Sequence, residues 1–279
     1  MLGKIGNVAV KVKNQIHHKR IMKKLYPYFS EAMEMSQTDA SISLKSSNII
    51  WVFWWQGEDK LTELSKKCLQ SIKLNSKNRK VILITKDNVK QYITLPSFIY
   101  EKVKNKEITL THLSDIIRVN LLKRWGGLWL DSTIYVTNTL DNVPNNRIFT
   151  PGFYPNFDKE NAYISKCQWS GFCIGGPANS ELFKFLSNFF NIYWKNHDTL
   201  IDYYLLDYAL RFAWTNDIGN FKNDILKDTN TEPNLYKLAE VLNSKYDKDI
   251  WNQITKKNNI FKLSNKVKIN KDGTFYSHL

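Results

Sequence analysis

Apolar positions along the chain follow two alternating periodicities. "IIWVFWW" (Ile49 to Trp55) and "KVILITK" (Lys80 to Lys86) are short apolar runs, rich in β-branched and aromatic residues, with the length of buried strands. Between them, "LTELSKKCLQSIKLN" spaces its apolar residues as a helix does, so strand, helix, strand is the predicted opening of an α/β domain. Thr111 to Trp125 predicts a helix in which Leu113, Ile116, Ile117, Asn120, Leu121 and Leu122 form one stripe, Thr111 is the N-cap and Gly126 the stop. "GGLWLDSTIYV" (Gly126 to Val136) then reads as a single buried strand. Beyond residue 140 the order loosens through "DNVPNNRIFTPGFYPNF". "WSGFCIGGP" (Trp169 to Pro177) predicts a strand and turn, Glu181 to Trp194 and Thr199 to Trp214 two helices, and "KVKINKDGTFYSHL" a hairpin turned at Asp272-Gly273.

Residues 1–45 differ from the α/β domain expected over 46–279. "KVKNQIHHKRIMKKLYPYF" mixes Lys11, Lys13, Lys19, Arg20, Lys23 and Lys24 with Ile16, Ile21, Met22 and Leu25, a basic amphipathic helix that serves either as a solvated helix packed on the domain or as a membrane-surface anchor through residues 11–25. The chain of 279 residues carries 40 Lys and Arg against 26 Asp and Glu, a formal +14 that favours nucleic acid, an anionic membrane surface or phosphorylated substrates. Cys68, Cys167 and Cys173 form no C-x-x-C pair, which speaks against a disulfide scaffold or structural zinc site and fits a reducing compartment. No apolar run reaches the roughly 18–20 residues of a membrane span, and Lys4 and Lys11 interrupt any signal-peptide core. A cytoplasmic protein, peripheral at the inner face of the membrane if the helix anchors it, is expected.

One residue is out of place in this pattern. Asp131 lies among β-forming residues, where an unmet carboxylate costs several kcal/mol. Side-chain alternation puts Trp129, Asp131, Thr133 and Tyr135 on one face, so Asp131 and Thr133 together suit a divalent cation with oxygen ligands; a carboxylate capping a loop at the strand's end is the structural alternative. In the preceding helix Asp115 and Arg118 are three apart and therefore neighbours, either as a surface ion pair or as part of a site. Two polar pairs joined by one short connection at a strand end of an α/β domain favour the site.

"SDIIRVNLLKRWGGLWLDSTIYV" resembles the S/A-D-x-x-R … G-G-x-x-x-D-x-[D/T] core of nucleotide-sugar glycosyltransferases of the GT-A fold. The chain is most similar to the capsular polysaccharide synthesis proteins, and more distantly to α-mannosyltransferases of the Och-one type and the glucosylating clostridial toxins. "IWVFWWQGEDKLTELSKKCLQSI" looks like the family's opening strand and helix and "DYYLLDYAL" like its later helical motif, so the likeness covers most of residues 48–214. It implies a Rossmann-like, nucleotide-sugar-binding GT-A domain, to which the periodicity adds the helical N-terminal extension and further C-terminal helices. It also implies that Asp131 belongs to a D-x-D-type motif binding ribose and the diphosphate's Mn²⁺ or Mg²⁺, and that Asp115 and Arg118 hold the donor's sugar and diphosphate. Trp54 would stack on the base with Gln56 and Gly57 beside it, although "WVFWW" has three tryptophans and only one need leave the core.

Thr133 departs from the broader pattern, which has a second aspartate there; a hydroxyl brings no charge to a metal. His278 in "FYSHL" is the available late ligand, or else a solvated terminal histidine. The resemblance implies a configuration-retaining transfer in which the leaving phosphate takes the acceptor's proton. An inverting transfer needs a carboxylate base, for which Asp202 or Asp207 is available, though Thr199-x-x-Asp202 also reads as a capping box. Trp169 and Ser170 line the acceptor side or pack in the core. The sequence therefore reads as a metal-assisted hexosyltransferase moving sugar from a nucleotide-sugar, preferentially a UDP-sugar, to a growing surface glycan or its lipid-linked precursor, with no nucleic-acid partner. Its rivals are a sugar-phosphate transferase and a non-enzymatic protein that binds anionic surfaces.

Overall fold

The computed structural model describes residues 2–37, 43–152, 163–227 and 231–279, with side chains from residue 12 onward in the first helix. Its helices are α1 (Leu2–Gln37), α2 (Glu63–Asn75), α3 (Val89–Tyr92), α4 (Ser97–Lys104), α5 (Leu110–Trp125), α6 (Glu181–Asn196), α7 (Leu205–Thr215), α8 (Phe221–Leu226), α9 (Lys237–Val241) and α10 (Lys248–Thr255). The strands are β1 (Ile49–Phe53), β2 (Lys80–Ile84), β3 (Gly127–Leu130), β4 (Ile134–Val136), β5 (Cys173–Gly176) and β6 (Ile260–Lys262).

β1, β2 and β3 run parallel and β5 antiparallel in a sheet ordered β2-β1-β3-β5, while β4 and β6 pair antiparallel in a sheet of their own. Alternation along β1 and β3 sends Trp51 and Trp129 to one face, against α5, α6 and α7, and Ile50, Val52, Leu128 and Leu130 to the other, against Leu69 and Ile72 of α2. The chain leaves β1 toward β2 and returns on β1's opposite side as β3. Such a reversal opens a crevice beyond the carboxyl ends of the strands.

Two threonines start the crossover helices. The Thr62 hydroxyl accepts the Ser65 N–H at 3.1 Å for α2, and Thr109 accepts the His112 N–H at 3.4 Å for α5. Thr109, not Thr111, is thus the cap, because Thr111 already lies in the first helical turn. At the far end of α5 the Gly126 N–H closes on Leu122 O, and Gly127 enters β3 at φ +98°. A Cβ on Gly127 would stand 2.4 Å from the carbonyl oxygen of Ile49, so backbone strain and overlap act together. Gly127→Ala is expected to lower the unfolding free energy by about 2–4 kcal/mol, read from urea denaturation.

Burial at Ile21, Leu25, Phe29 and Ala32, a helical spacing, fastens the second half of α1 to the domain; Phe29 lies 4.7 Å from Phe189 and 4.9 Å from Phe212, ring to ring. Lys13, Lys19, Arg20, Lys23 and Lys24 stay exposed, as do Val12 and Ile16. The side chain of Lys11 and the 153–157 part of the loosely ordered loop lie outside the described residues.

Several expected elements form differently. Gly126 to Val136 is not one strand: the Ile134 N–H bonds Asp131 O at 2.9 Å, turning the chain through Asp131-Ser132-Thr133 from one sheet into the other. The capping box at Thr199-x-x-Asp202 is absent, since α7 begins at Leu205 and the Asp202 carboxylate instead accepts the Tyr204 N–H in an Asx turn. The tail makes its turn at Gly273 but no hairpin, because Thr274 bridges to Lys245 and residues 275–278 wind into a short 3₁₀ turn.

Candidate active site

At the carboxyl ends of β1 and β3 lies a cavity of about 1020 Å³, at the upper end of small-molecule sites. Phe53 at the end of β1 and Trp54, Trp55 and Gln56 after it line the cavity, with Asp115 and Arg118 from α5, Trp129 from β3 and Asp131 just beyond that strand. The Trp169–Phe172 segment, Tyr203, Tyr204 and Asp207 at the start of α7, Tyr236, and Lys262 of β6 complete the described wall. Aromatic faces dominate, and a few charges converge among them.

Asp131 is met three ways. Its Oδ1 accepts from Arg118 Nη2 at 3.1 Å and Trp129 Nε1 at 3.0 Å, and its Oδ2 from Lys262 Nζ at 2.9 Å. Burial alone would raise its pKa, but Lys262, Arg118 and the indole N–H together hold it below the usual carboxylate value. Two unit charges about 3 Å apart attract by roughly 5 kcal/mol at an effective dielectric of about 20, and here two cations oppose one desolvation cost. Arg118 forks across the site: Nη1 lies 3.1 Å from Asp115 Oδ1, and the guanidinium stacks 4.9 Å from the centre of the Trp129 ring. Its Nε, buried, has no partner among the described residues.

Lys262 also donates to Thr133 Oγ1 at 2.8 Å, bridging the two oxygens that the sequence assigned to a cation. It sits opposite Ile134 in the β4–β6 ladder, and the Leu263 N–H bonds Thr133 O at 2.9 Å, so the two-stranded sheet fixes the lysine over the Asp131 turn. Glu232 anchors the strand's start by accepting the Asn259 and Ile260 N–H groups at 2.8 and 3.1 Å, and burial pushes its carboxyl up to about 7.

On the opposite wall Asp207 Oδ1 accepts from Trp169 Nε1 at 2.8 Å, and Arg211 lies 4.6 Å from the Trp169 ring centre. Burial raises the Asp207 carboxyl to about 6, with Asp115 adding to the rise and the Trp169 N–H, Arg118 and Arg211 opposing it. Such a value lets a carboxylate change protonation near neutral pH.

Of the residues singled out from the sequence, Trp54, Gln56, Asp115, Arg118, Asp131, Trp169 and Ser170 line this one cavity. Trp54 is half-buried, its indole N–H held by Lys60 O at 3.0 Å. Thr133 enters through Lys262 alone, and Gly57 shapes the turn after Gln56 at φ +96°. Asp202 lies elsewhere: it accepts from His17 Nε2 at 2.7 Å, tying α1 to the segment before α7, and Asp207 rather than Asp202 faces the cavity. His278 also lies elsewhere, stacked 3.7 Å from Tyr246 and bonded to Thr274 O.

Lys262, Trp129 and Tyr236 were not singled out. A signal for Lys262 existed: a lysine among Ile260, Phe261 and Leu263 in "NIFKL" is the counterpart of the aspartate that follows the apolar run of β3.

The residues present do not fit a divalent ion bridging Asp131 and Thr133. Both Asp131 oxygens and the Thr133 hydroxyl are engaged by protein cations and an indole, and no group of three His, Cys, Asp or Glu suited to a metal occurs among the described residues. No helix among the described residues is long and apolar enough to cross a membrane.

The chain is a mixed α/β protein with an aromatic, charge-lined cleft at the carboxyl ends of its parallel strands, the edge at which open α/β sheets commonly take ligands. Its sequence matches the capsular polysaccharide synthesis protein family over residues 4–279, and the chain belongs to that family. A solved structure titled PaToxG Glycosyltransferase is similar at 16% identity, with 86% of this chain and 94% of that chain covered and a TM-score of 0.44. No curated protein sequence matches.

Proposed function

We propose that the chain is a glycosyltransferase of GT-A architecture, moving a sugar from a nucleotide-sugar donor to a capsular or related surface polysaccharide or its lipid-linked precursor. The observation that carries this reading is the Asp115–Arg118–Asp131 chain of contacts at the floor of an aromatic cavity in a capsule-synthesis family member. A flat base suits the face of Trp54, with Gln56 at its edge. The diphosphate goes to Arg118, whose planar fork matches phosphate oxygens, and the sugar hydroxyls go to Asp115. Trp169, Ser170 and Asp207 take the acceptor side.

In the configuration-retaining mode that the sequence resemblance implies, the bond from the anomeric carbon to the diphosphate breaks with its electron pair on the phosphate. The acceptor oxygen bonds the same carbon, and its proton leaves with the nucleoside diphosphate. Asp207, ionised, orients the acceptor hydroxyl. Its raised pKa sets the sign: the orienting form is lost as pH falls, so kcat is expected to rise through about pH 6, and Asp207→Asn to flatten that limb while lowering kcat by about 10²-fold.

The exposed Lys13, Lys19, Arg20, Lys23 and Lys24 of α1, within a chain of net charge +14, favour contact with an anionic cytoplasmic leaflet, where a lipid-linked acceptor would lie. The test of the proposal is product analysis on a panel of UDP- and GDP-sugars with and without lipid-linked glycan acceptors. Release of nucleoside diphosphate supports it, release of nucleoside monophosphate identifies a sugar-phosphate transferase, and release of neither from any donor rejects both.

A further inference from the structure

Resting on the glycosyltransferase reading, we propose that Lys262 is the cation of this active site: its ammonium, held between Asp131 and Thr133, meets the donor's diphosphate, so that transfer proceeds without a divalent metal ion. The lysine occupies the bridging position between Asp131 Oδ2 and Thr133 Oγ1, at 2.9 and 2.8 Å. An ammonium has three N–H donors, and these two contacts leave the third for a phosphate oxygen. The head lies 4.9 Å from the centre of the Phe172 ring, and the residue lines the cavity, so the remaining donor has somewhere to go.

The position is built, not incidental. β6 is paired to β4 directly after the Asp131-Ser132-Thr133 turn, through Ile134 opposite Lys262 and the Leu263 N–H to Thr133 O. The Lys262 N–H bonds Leu235 O at 2.8 Å, which fixes the strand from its other edge. Lys262 and Arg118 therefore both hold Asp131, the lysine on Oδ2 and the guanidinium on Oδ1, and both line the cavity. Two fixed cations at the leaving group do what a metal does in such a transfer: they stabilise the charge that grows on the diphosphate as the anomeric bond breaks.

Thr133 in place of a second aspartate then has a physical reason. A hydroxyl accepts from an ammonium without adding a negative charge that would oppose the diphosphate. A second carboxylate there would neutralise the lysine.

The experiment is steady-state nucleoside diphosphate release from UDP- and GDP-sugars by the full chain, in EDTA and in Mn²⁺ or Mg²⁺, for wild type, Lys262→Met and Lys262→Arg, with thermal unfolding recorded for each. Wild-type kcat/KM in EDTA is expected within about twofold of its value with metal, and Lys262→Met, folded, to lose about 10²-fold in both buffers with Lys262→Arg recovering part of the loss. Wild type that turns over only with metal, or a folded Lys262→Met as active as wild type, overturns the role of Lys262 and leaves the glycosyltransferase reading standing. Absence of turnover for every donor in every buffer overturns both. The wild-type comparison decides the matter even if the Met variant fails to fold.

Discussion

Asp131→Asn is expected to lower nucleoside diphosphate release from the cognate nucleotide sugar by about 10²–10³-fold while leaving the chain folded. Asparagine keeps the size and one acceptor oxygen, so Trp129 or Arg118 retains a partner. What it removes is the negative charge that holds Arg118 and Lys262 in place, 3.1 and 2.9 Å away. Without it the two cations repel each other across the turn and lose the geometry in which both address the donor. The loss should appear both in donor affinity and in kcat, because the two cations hold the diphosphate before transfer and matter more still as charge develops there. Steady-state kinetics with circular dichroism as the folding control checks this, and a variant within about threefold of wild type would remove Asp131 from the machinery.

Arg118→Ala is expected to be the most destabilising single change in the site, lowering the unfolding free energy by about 3–5 kcal/mol. The guanidinium side chain is 7% exposed and spans two carboxylates, Asp115 at 13% and Asp131 at 27% exposure, so its loss leaves Asp115 with little solvent to replace it. The Trp129 face loses its stacking partner as well. Arg118→Lys should recover part of the stability but not donor binding, because one ammonium cannot reach both carboxylates in the planar fork. Urea denaturation with donor titration separates the two effects. A cost below about 1 kcal/mol would make the pair an ordinary surface bridge.

What was legible in the sequence was local. Asp115 and Arg118 are three apart on one helix, and the Gly126-Gly127 stop delivers Asp131 beside them, so short-range rules suffice to suggest one site. The opening strand, helix, strand followed directly from periodicity, and β1, α2 and β2 form near their expected bounds. What was not legible depended on long-range pairing. Lys262 lies 131 residues from Asp131, and only the β4–β6 ladder brings them together. The same ladder explains why Gly126 to Val136 is not one strand: β4 finds its partner in β6, outside the main sheet, and the chain must turn at Asp131 to reach it. His17 and Asp202 are 185 residues apart, and a local capping signal at Thr199 gave no sign that helix α1 would claim the carboxylate. Asp207, in the first turn of α7, is the carboxylate that faces the cavity.

The central claim is that this cavity holds a nucleotide sugar through Asp131 and its neighbours, and calorimetric titration of UDP- and GDP-sugars into wild type, Asp131→Asn and Trp54→Ala tests it most directly. At least one donor should bind wild type with a Kd in the micromolar range, weaken about tenfold with Trp54→Ala, in line with a stacking contact of 1–1.5 kcal/mol, and weaken further with Asp131→Asn. Failure of every nucleotide sugar to bind wild type, or binding undiminished in both variants, would contradict the account.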